Sequence, residues 1–171
     1  MKAIIVALVG VAIMTTVLVS FFWWLRRRDL VHHFIADHDF VHWVDVFRLE
    51  GRSFGSQTVG HARRCYRALA DGLPVELVVE ELPVGHAHRQ RWLLAARVPQ
   101  GTAFAVTADG VEGTLPEVLD APLHLAHRDQ RIDAVLCEHG LLLVRLVTVR
   151  GLEPGLALLR ECVERLRSAG R

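Results

Sequence analysis

The chain has 171 residues, which is enough for a membrane anchor and one ordinary domain but leaves little room for a second domain. It carries 20 Lys and Arg residues against 19 Asp and Glu residues, so its net charge is only +1. A charge near zero provides no overall field that would attract a polyanion. We therefore expect no nucleic-acid partner.

An uninterrupted apolar run occupies residues 3–25, and three consecutive arginines follow it. As a helix rising about 1.5 Å per residue, this run covers about 34 Å, which is enough for a hydrocarbon core of about 30 Å. Because hydrocarbon offers the backbone no hydrogen-bond partner, a single run of this kind must be helical. We predict an anchor over residues 1–28 in contact with the lipid bilayer, whose membrane-interface residues are Trp23, Trp24, Arg26, Arg27 and Arg28.

A cleaved secretory signal is the alternative interpretation of this run. Such a signal needs an apolar core of about 7–15 residues and a small-x-small cleavage site, whereas this run is longer and ends in bulky aromatic residues. We therefore favour an uncleaved, single-pass anchor. The arginines after it outnumber the positive charges before it, which favours an outside N-terminus and a cytoplasmic domain. We expect the membrane to be a bacterial inner membrane.

Small residues recur along one face of the predicted anchor helix, at Ala12, Thr16 and Ser20. Spacing by four residues places them in one row, the pattern that allows two membrane helices to approach closely. The alternative is that the row arises by chance and that the hydroxyl groups bond back to their own helix. The hypothesis is that this face packs against a partner helix.

Residues 29–50 are predicted to form a juxtamembrane helical segment. Residues 29–37 continue the anchor, Asp37 and Asp39 are suitable caps, and Gly51 is suitable as a stop. A strand is the alternative, but it would bury Asp45 beside apolar residues. The apolar residues at helical spacing are Phe40, Trp43, Val44 and Phe47.

Residues 51–171 are predicted to form one soluble α+β domain with a mainly antiparallel sheet and a packed C-terminal helix. Asp71-Gly72 lies between two strand-like runs and predicts a hairpin within residues 62–81, with a helix ending at Gly72 as the alternative. Strands are also predicted at 92–98 and 102–108, paired as neighbours, and at 131–137 and 141–149. A polar turn is predicted at 83–90, a tight turn at Asp109-Gly110 and a single helical turn at 116–120.

The C-terminal helix begins near Pro154, a residue suited to the first turn of a helix. Glu161 and Arg165 form a favourable pair four residues apart. The predicted apolar stripe contains Leu156, Leu159, Val163 and Leu166.

Ten histidines and three cysteines are the candidate metal ligands. The cysteines form no CxxC motif and are expected to be buried thiols in a reducing compartment. The histidines do not form an HExxH motif, and dispersed surface histidines are the alternative to a metal site. The metal candidates are His86, His88, His124, His127 and His139.

Arg63, Arg64 and Arg67 could join the arginines at 26–28 in a basic surface facing anionic lipid headgroups. Ordinary ion pairing with Glu76, Glu80 and Glu81 is the alternative.

Residues 51–55 read Gly-Arg-Ser-Phe-Gly and match the G-x-S-x-G spacing, but they begin a stretch predicted as a Gly/Ser loop and not a turn from a strand into a helix. The sequence contains no phosphate-binding glycine loop. We therefore predict no catalytic residue and no cofactor. We predict a non-catalytic accessory or interaction subunit that associates with other membrane proteins. The alternative is a metal-dependent or histidine-using enzyme tethered to the membrane.

Overall fold

The computed structural model describes residues 2–84, 87–99, 103–128 and 131–169. It shows a long apolar N-terminal helix, an eight-stranded antiparallel sheet and a C-terminal helix, which confirms the predicted α+β class. The helices are α1 (Lys2–Asp37), α2 (Glu117–Arg128) and α3 (Leu152–Ala169), with a 3-10 turn at Val149–Gly151. The strands are β1 (Val41–Trp43), β2 (Ser53–Phe54), β3 (Gln57–Thr58), β4 (His61–Ala70), β5 (Leu73–Val84), β6 (Ala87–Arg97), β7 (Phe104–Thr107), β8 (Gly110–Gly113), β9 (Ile132–Glu138) and β10 (Leu141–Leu146).

Helix α1 is continuous over 36 residues. Its most apolar window has a mean hydropathy of 2.1 and is not buried by the rest of the chain. By length and composition this helix is able to cross a membrane, which is consistent with a single-pass anchor. Its C-terminal end packs on the domain, where Phe34 is only 3% exposed and its ring stacks on Phe40 at a centroid distance of 5.4 Å.

The predicted helix over residues 40–50 is wrong. Helix α1 ends at Asp37, the chain reverses at Asp39, where φ is 53°, and β1 follows as a strand paired with β4. The helical spacing was misleading because its apolar residues contact different parts of the fold. Phe40 packs with Phe34 of α1, whereas Phe47 packs on the opposite face of the sheet.

A turn held by Asp45 takes the place of the predicted helix. The Asp45 carboxylate accepts hydrogen bonds from the backbone N–H groups of Leu49 at 2.9 Å and Glu50 at 3.0 Å. A carboxylate that satisfies two amides in this way competes with a regular helix. Asp45, whose charge disfavoured a buried strand at this position, therefore stabilises the turn that follows β1.

The sheet has the strand order β1-β4-β5-β6-β10-β9-β7-β8. The hairpin at Asp71-Gly72 is confirmed, with φ angles of 49° and 78° that suit a type I′ turn. The turn predicted at Asp109-Gly110 lies one residue earlier, at 108–109, because Gly110 is already paired with Thr107 at the start of β8. The predicted pairing of 92–98 with 102–108 is wrong, because β10, buried along its whole length, lies between β6 and β9.

Two local expectations also change at their boundaries, and a third is confirmed. The region predicted as a polar turn at 83–90 is mostly strand, since β5 continues to Val84 and β6 begins at Ala87. The helical turn predicted at 116–120 is the start of α2, which continues to Arg128 despite Pro122. The C-terminal helix is confirmed, and its Glu161–Arg165 pair is 2.7 Å apart.

The sheet is covered on both faces. Helices α2 and α3 and the end of α1 pack on one face, where the predicted stripe of α3 is buried. The other face is covered by residues 44–60, which we call the covering segment. Its buried side chains are Phe47, Leu49, Phe54 and Val59.

Candidate functional site

A cavity of about 600 Å³ lies between the end of the apolar part of α1 and the sheet. Four arginine side chains line it, two from α1 and two from β4. They are Arg27, Arg28, Arg63 and Arg64. The cavity therefore brings together cationic groups that lie far apart in the sequence. We call it the arginine cavity.

The floor of the arginine cavity is apolar. Val79 of β5 and Trp92 of β6 line it and are buried in the core, and the partly buried Val31 and Ile35 of α1 form the opposite wall. A cationic rim above an apolar floor makes the cavity amphipathic.

Neighbouring side chains hold part of the rim in place. The Arg28 guanidinium lies 5.7 Å from the centre of the Trp24 ring, and its Nε donates to His32 Nε2 at 3.4 Å. Arg63 Nη1 lies 3.3 Å from Glu81 Oε1. This ion pair was the alternative to a lipid-facing role for Arg63. Within the described residues, Arg27 and Arg64 form no ion pair.

The arginine cavity contains only part of the basic surface that the sequence suggested. Arg26 and Arg67 are not among its lining residues. Arg67 lies on the other face of β4, opposite Glu76 of β5. The sequence pointed to the relevant arginines, but it did not predict the irregular register of β4 between Ala62 and Arg64 or the docking of α1 on the sheet, which bring four of them together.

Two buried carboxylates on the covered face were not recognised as a site. Glu76 accepts hydrogen bonds from the backbone N–H groups of Val46 and Phe47, both at 3.0 Å. Burial raises the pKa of Glu76 to about 6. Glu80 accepts a short hydrogen bond from the backbone N–H of Gly60. Both glutamates therefore fasten the covering segment to the sheet.

Arg145 lies buried near Glu80 on the same face. Its Nη1 donates to Gln57 Oε1 at 2.9 Å, while its Nε and Nη2 and the Oε2 of Glu80 have no hydrogen-bond partner among the described residues. Burial lowers the pKa of Arg145, and the attraction of Glu80 opposes that shift. The sequence offered one indication of this buried charge, namely a single arginine within the otherwise apolar strand β10.

Strand β1 forms an open edge of the sheet in the described part of the chain. Val41 and Trp43 lie on one side of β1 and are 56% and 50% exposed. Leu69 of β4 lies on that same side and is 69% exposed. We call these three residues the edge patch. Sequence reasoning missed it because it assigned these residues of β1 to a helix.

The predicted anchor features lie on the exposed helix surface. Ala12, Thr16 and Ser20 are exposed, and the Thr16 hydroxyl donates to the Ala12 carbonyl at 2.9 Å, the back-bonding that the sequence offered as an alternative. The Trp23 ring lies 5.7 Å from the Arg150 guanidinium, so this predicted membrane-interface residue contacts the domain.

Comparison of the chain with protein-family models, curated proteins and solved structures finds no match.

The candidate metal ligands are only partly described. His86 and the side chains of His88 and His127 lie outside the described part, and the exposed His124 and His139 belong to α2 and to the β9–β10 turn. Among the described residues, no group of three or more His, Cys, Asp or Glu side chains is arranged to hold a metal ion.

The cysteines are buried, as predicted. Burial raises the pKa of the Cys65 and Cys162 thiols to about 12. A thiol with so high a pKa carries almost no thiolate at neutral pH, so these two residues are poor nucleophiles.

Proposed function

We propose that this protein is a single-pass accessory subunit of a membrane complex and that it binds another membrane protein through the edge patch. The observation that carries the proposal is the open β1 edge with its three exposed apolar side chains. An exposed strand edge presents unpaired backbone groups, and a partner strand can add to it.

Apart from its short length of three residues, the edge lacks the protection that monomeric proteins usually give such strands. Charged residues, proline or a bulge normally discourage edge pairing. Strand β1 reads Val-His-Trp, with no proline or fixed charge, and Val44 immediately after it is also exposed. These properties favour a surface that is covered in the working assembly.

The anchor provides the second element of the proposal. We expect α1 to cross a bacterial inner membrane and to place the domain on the cytoplasmic side, in agreement with the positive-inside rule. The Ala12, Thr16 and Ser20 face is a second candidate contact, toward a neighbouring helix in the bilayer. The partner would then contact both the membrane segment and the domain.

The test is photo-cross-linking in native membranes with a photoreactive residue at Trp43. A matched control places it at Val111, which is 54% exposed on β8 at the opposite end of the sheet. We expect a discrete protein adduct from position 43 and none from position 111. Equal labelling at both positions would contradict the proposal.

Co-purification provides an independent measurement. Val41→Lys adds a charge to the edge patch and should release the partner during mild detergent extraction, whereas Val111→Lys should not. A wild-type protein that is extracted only as a monomer, with no adduct at position 43, would exclude an accessory subunit of this kind.

A further inference from the structure

We propose that the arginine cavity binds the phosphate-bearing headgroup of an anionic phospholipid. This ligand site is separate from the partner-binding edge and does not depend on the accessory function.

The depth of the cavity along α1 supports this assignment. Arg27 and Arg28 follow the end of the apolar run at Leu25 by two and three residues, which is about 3–5 Å along the helix. The polar layer on each side of a hydrocarbon core is about 5–7 Å thick. An uncleaved anchor therefore places these two arginines at the level of the lipid phosphates.

The charge of the lining supports an anionic ligand. Among the residues that the structure describes, the cavity wall contains four arginines and no Asp or Glu residue. Arg27 and Arg28 approach from the helix, while Arg63 and Arg64 approach from the sheet, so a bound phosphate meets guanidinium groups on two sides. Guanidinium groups bind phosphate oxygens through paired hydrogen bonds, which gives geometric as well as electrostatic selectivity.

The apolar part of the lining distinguishes a lipid from a free phosphate ion. Val31 and Ile35 are only partly buried, and they leave apolar surface that inorganic phosphate cannot use, whereas the glycerol and first methylene groups of a phospholipid would cover it. The cavity therefore matches both the charged and the apolar parts of a lipid at the membrane surface.

The experiment uses the full chain, purified in neutral detergent and examined by native mass spectrometry with added phosphatidylglycerol or phosphatidylcholine. We expect retention of phosphatidylglycerol and little retention of phosphatidylcholine. Because each substitution removes charge-assisted hydrogen bonds to the lipid phosphate, Arg28→Gln and Arg64→Gln should each weaken phosphatidylglycerol binding by about ten-fold.

Two neighbouring arginines provide matched controls. Arg26→Gln removes a charge at nearly the same membrane depth, and Arg67→Gln removes one from the same strand, yet neither residue lines the cavity. Both control variants should bind phosphatidylglycerol like the wild type. Weakening by Arg26→Gln equal to that by Arg28→Gln would show diffuse surface attraction and overturn the proposal.

A competition measurement separates the lipid from a soluble anion. Millimolar inorganic phosphate should leave bound phosphatidylglycerol in place, because the ion lacks the apolar contacts. Displacement by inorganic phosphate, or equal retention of the two lipids, would overturn the lipid assignment. Thermal unfolding of each variant verifies that the domain remains folded, so a loss of binding reports on the cavity.

Discussion

The buried carboxylate of Glu76 accepts a hydrogen bond from the backbone N–H of Phe47 at 3.0 Å, and this contact joins the centre of the sheet to the covering segment. The second carboxylate oxygen accepts from Val46. Burial raises the pKa of Glu76 to about 6, and the charge of Asp45 adds to the shift. The two backbone donors and Arg67 oppose it.

We expect Glu76 to make stability depend on pH. Its folded pKa of about 6 lies above the ordinary value of 4.5. The contribution of Glu76 to the free energy of unfolding is therefore fully present below about pH 4.5 and is lost as the pH rises through about pH 6. The loss amounts to about 1–2 kcal/mol. Urea unfolding followed by tryptophan fluorescence should show this decrease in the wild type and not in Glu76→Gln. If the free energy of unfolding changed with pH in the same way for both proteins, Glu76 would not be the source of the pH dependence.

The buried Arg145 and Glu80 should behave as a coupled pair. Arg145→Met leaves the Glu80 carboxylate buried without its nearby positive charge, and we expect it to lower the free energy of unfolding by about 3 kcal/mol. The double variant Arg145→Met, Glu80→Gln removes both charges and should recover most of that loss. A double-mutant cycle measured by chemical unfolding tests the coupling, and simple additivity would show that the charges act independently.

The exposed pair of His61 and Glu50 offers a local titration. His61 Nδ1 lies 2.6 Å from Glu50 Oε1, and this hydrogen bond raises the pKa of His61 and lowers that of Glu50. We expect Glu50→Gln to return the His61 pKa toward its ordinary value, as measured by NMR titration. Glu153→Gln, at an exposed carboxylate that instead contacts His38, should leave the His61 pKa unchanged.

The sign of the His61 effect on stability follows from the direction of its shift. A raised pKa means that the folded state favours the protonated imidazole. The contribution is therefore present below about pH 6.5 and is lost as the pH rises through the raised pKa. The Glu50→Gln variant should lack this component, and a His61 resonance that titrates identically in both proteins would contradict the assignment.

Phe34 should hold α1 against the domain. Its buried ring packs on Phe40, and the Phe40 N–H donates to the Ile35 carbonyl at 2.8 Å. We expect Phe34→Ala to weaken this docking by about 3–5 kcal/mol and to speed hydrogen exchange at the Phe40 amide. His33→Ala, at the adjacent exposed position, should leave that exchange rate unchanged. Equal exchange rates in the two variants would mean that other contacts hold the helix.

Local chemistry made part of the fold predictable. The Asp71-Gly72 turn carries its own backbone preference, and the stripe on α3 follows from helical spacing. The pairing of β6 with β10 was not predictable in this way, because it joins strands that are distant in sequence. The helical spacing of residues 40–47 was also ambiguous without knowing that Phe40 and Phe47 face different layers.

The candidate sites were less accessible to sequence reasoning than the fold. The arginines at 26–28 and 63–67 are conspicuous in the sequence, but only the docking of α1 on the sheet selects Arg27, Arg28, Arg63 and Arg64 as neighbours. The edge patch depends on the chain forming a strand after α1. Both sites therefore arise from long-range packing.

The continuity of α1 has a geometric consequence for the whole protein. Thr16 and Phe34 are 18 residues apart, which is about five full turns at 3.6 residues per turn, so they lie on the same side of the helix. The domain held by Phe34 therefore projects over the side of the anchor that carries Thr16. A neighbouring helix packed at Thr16 would lie beneath the domain, and turning the anchor about its axis would swing the edge patch around the membrane normal.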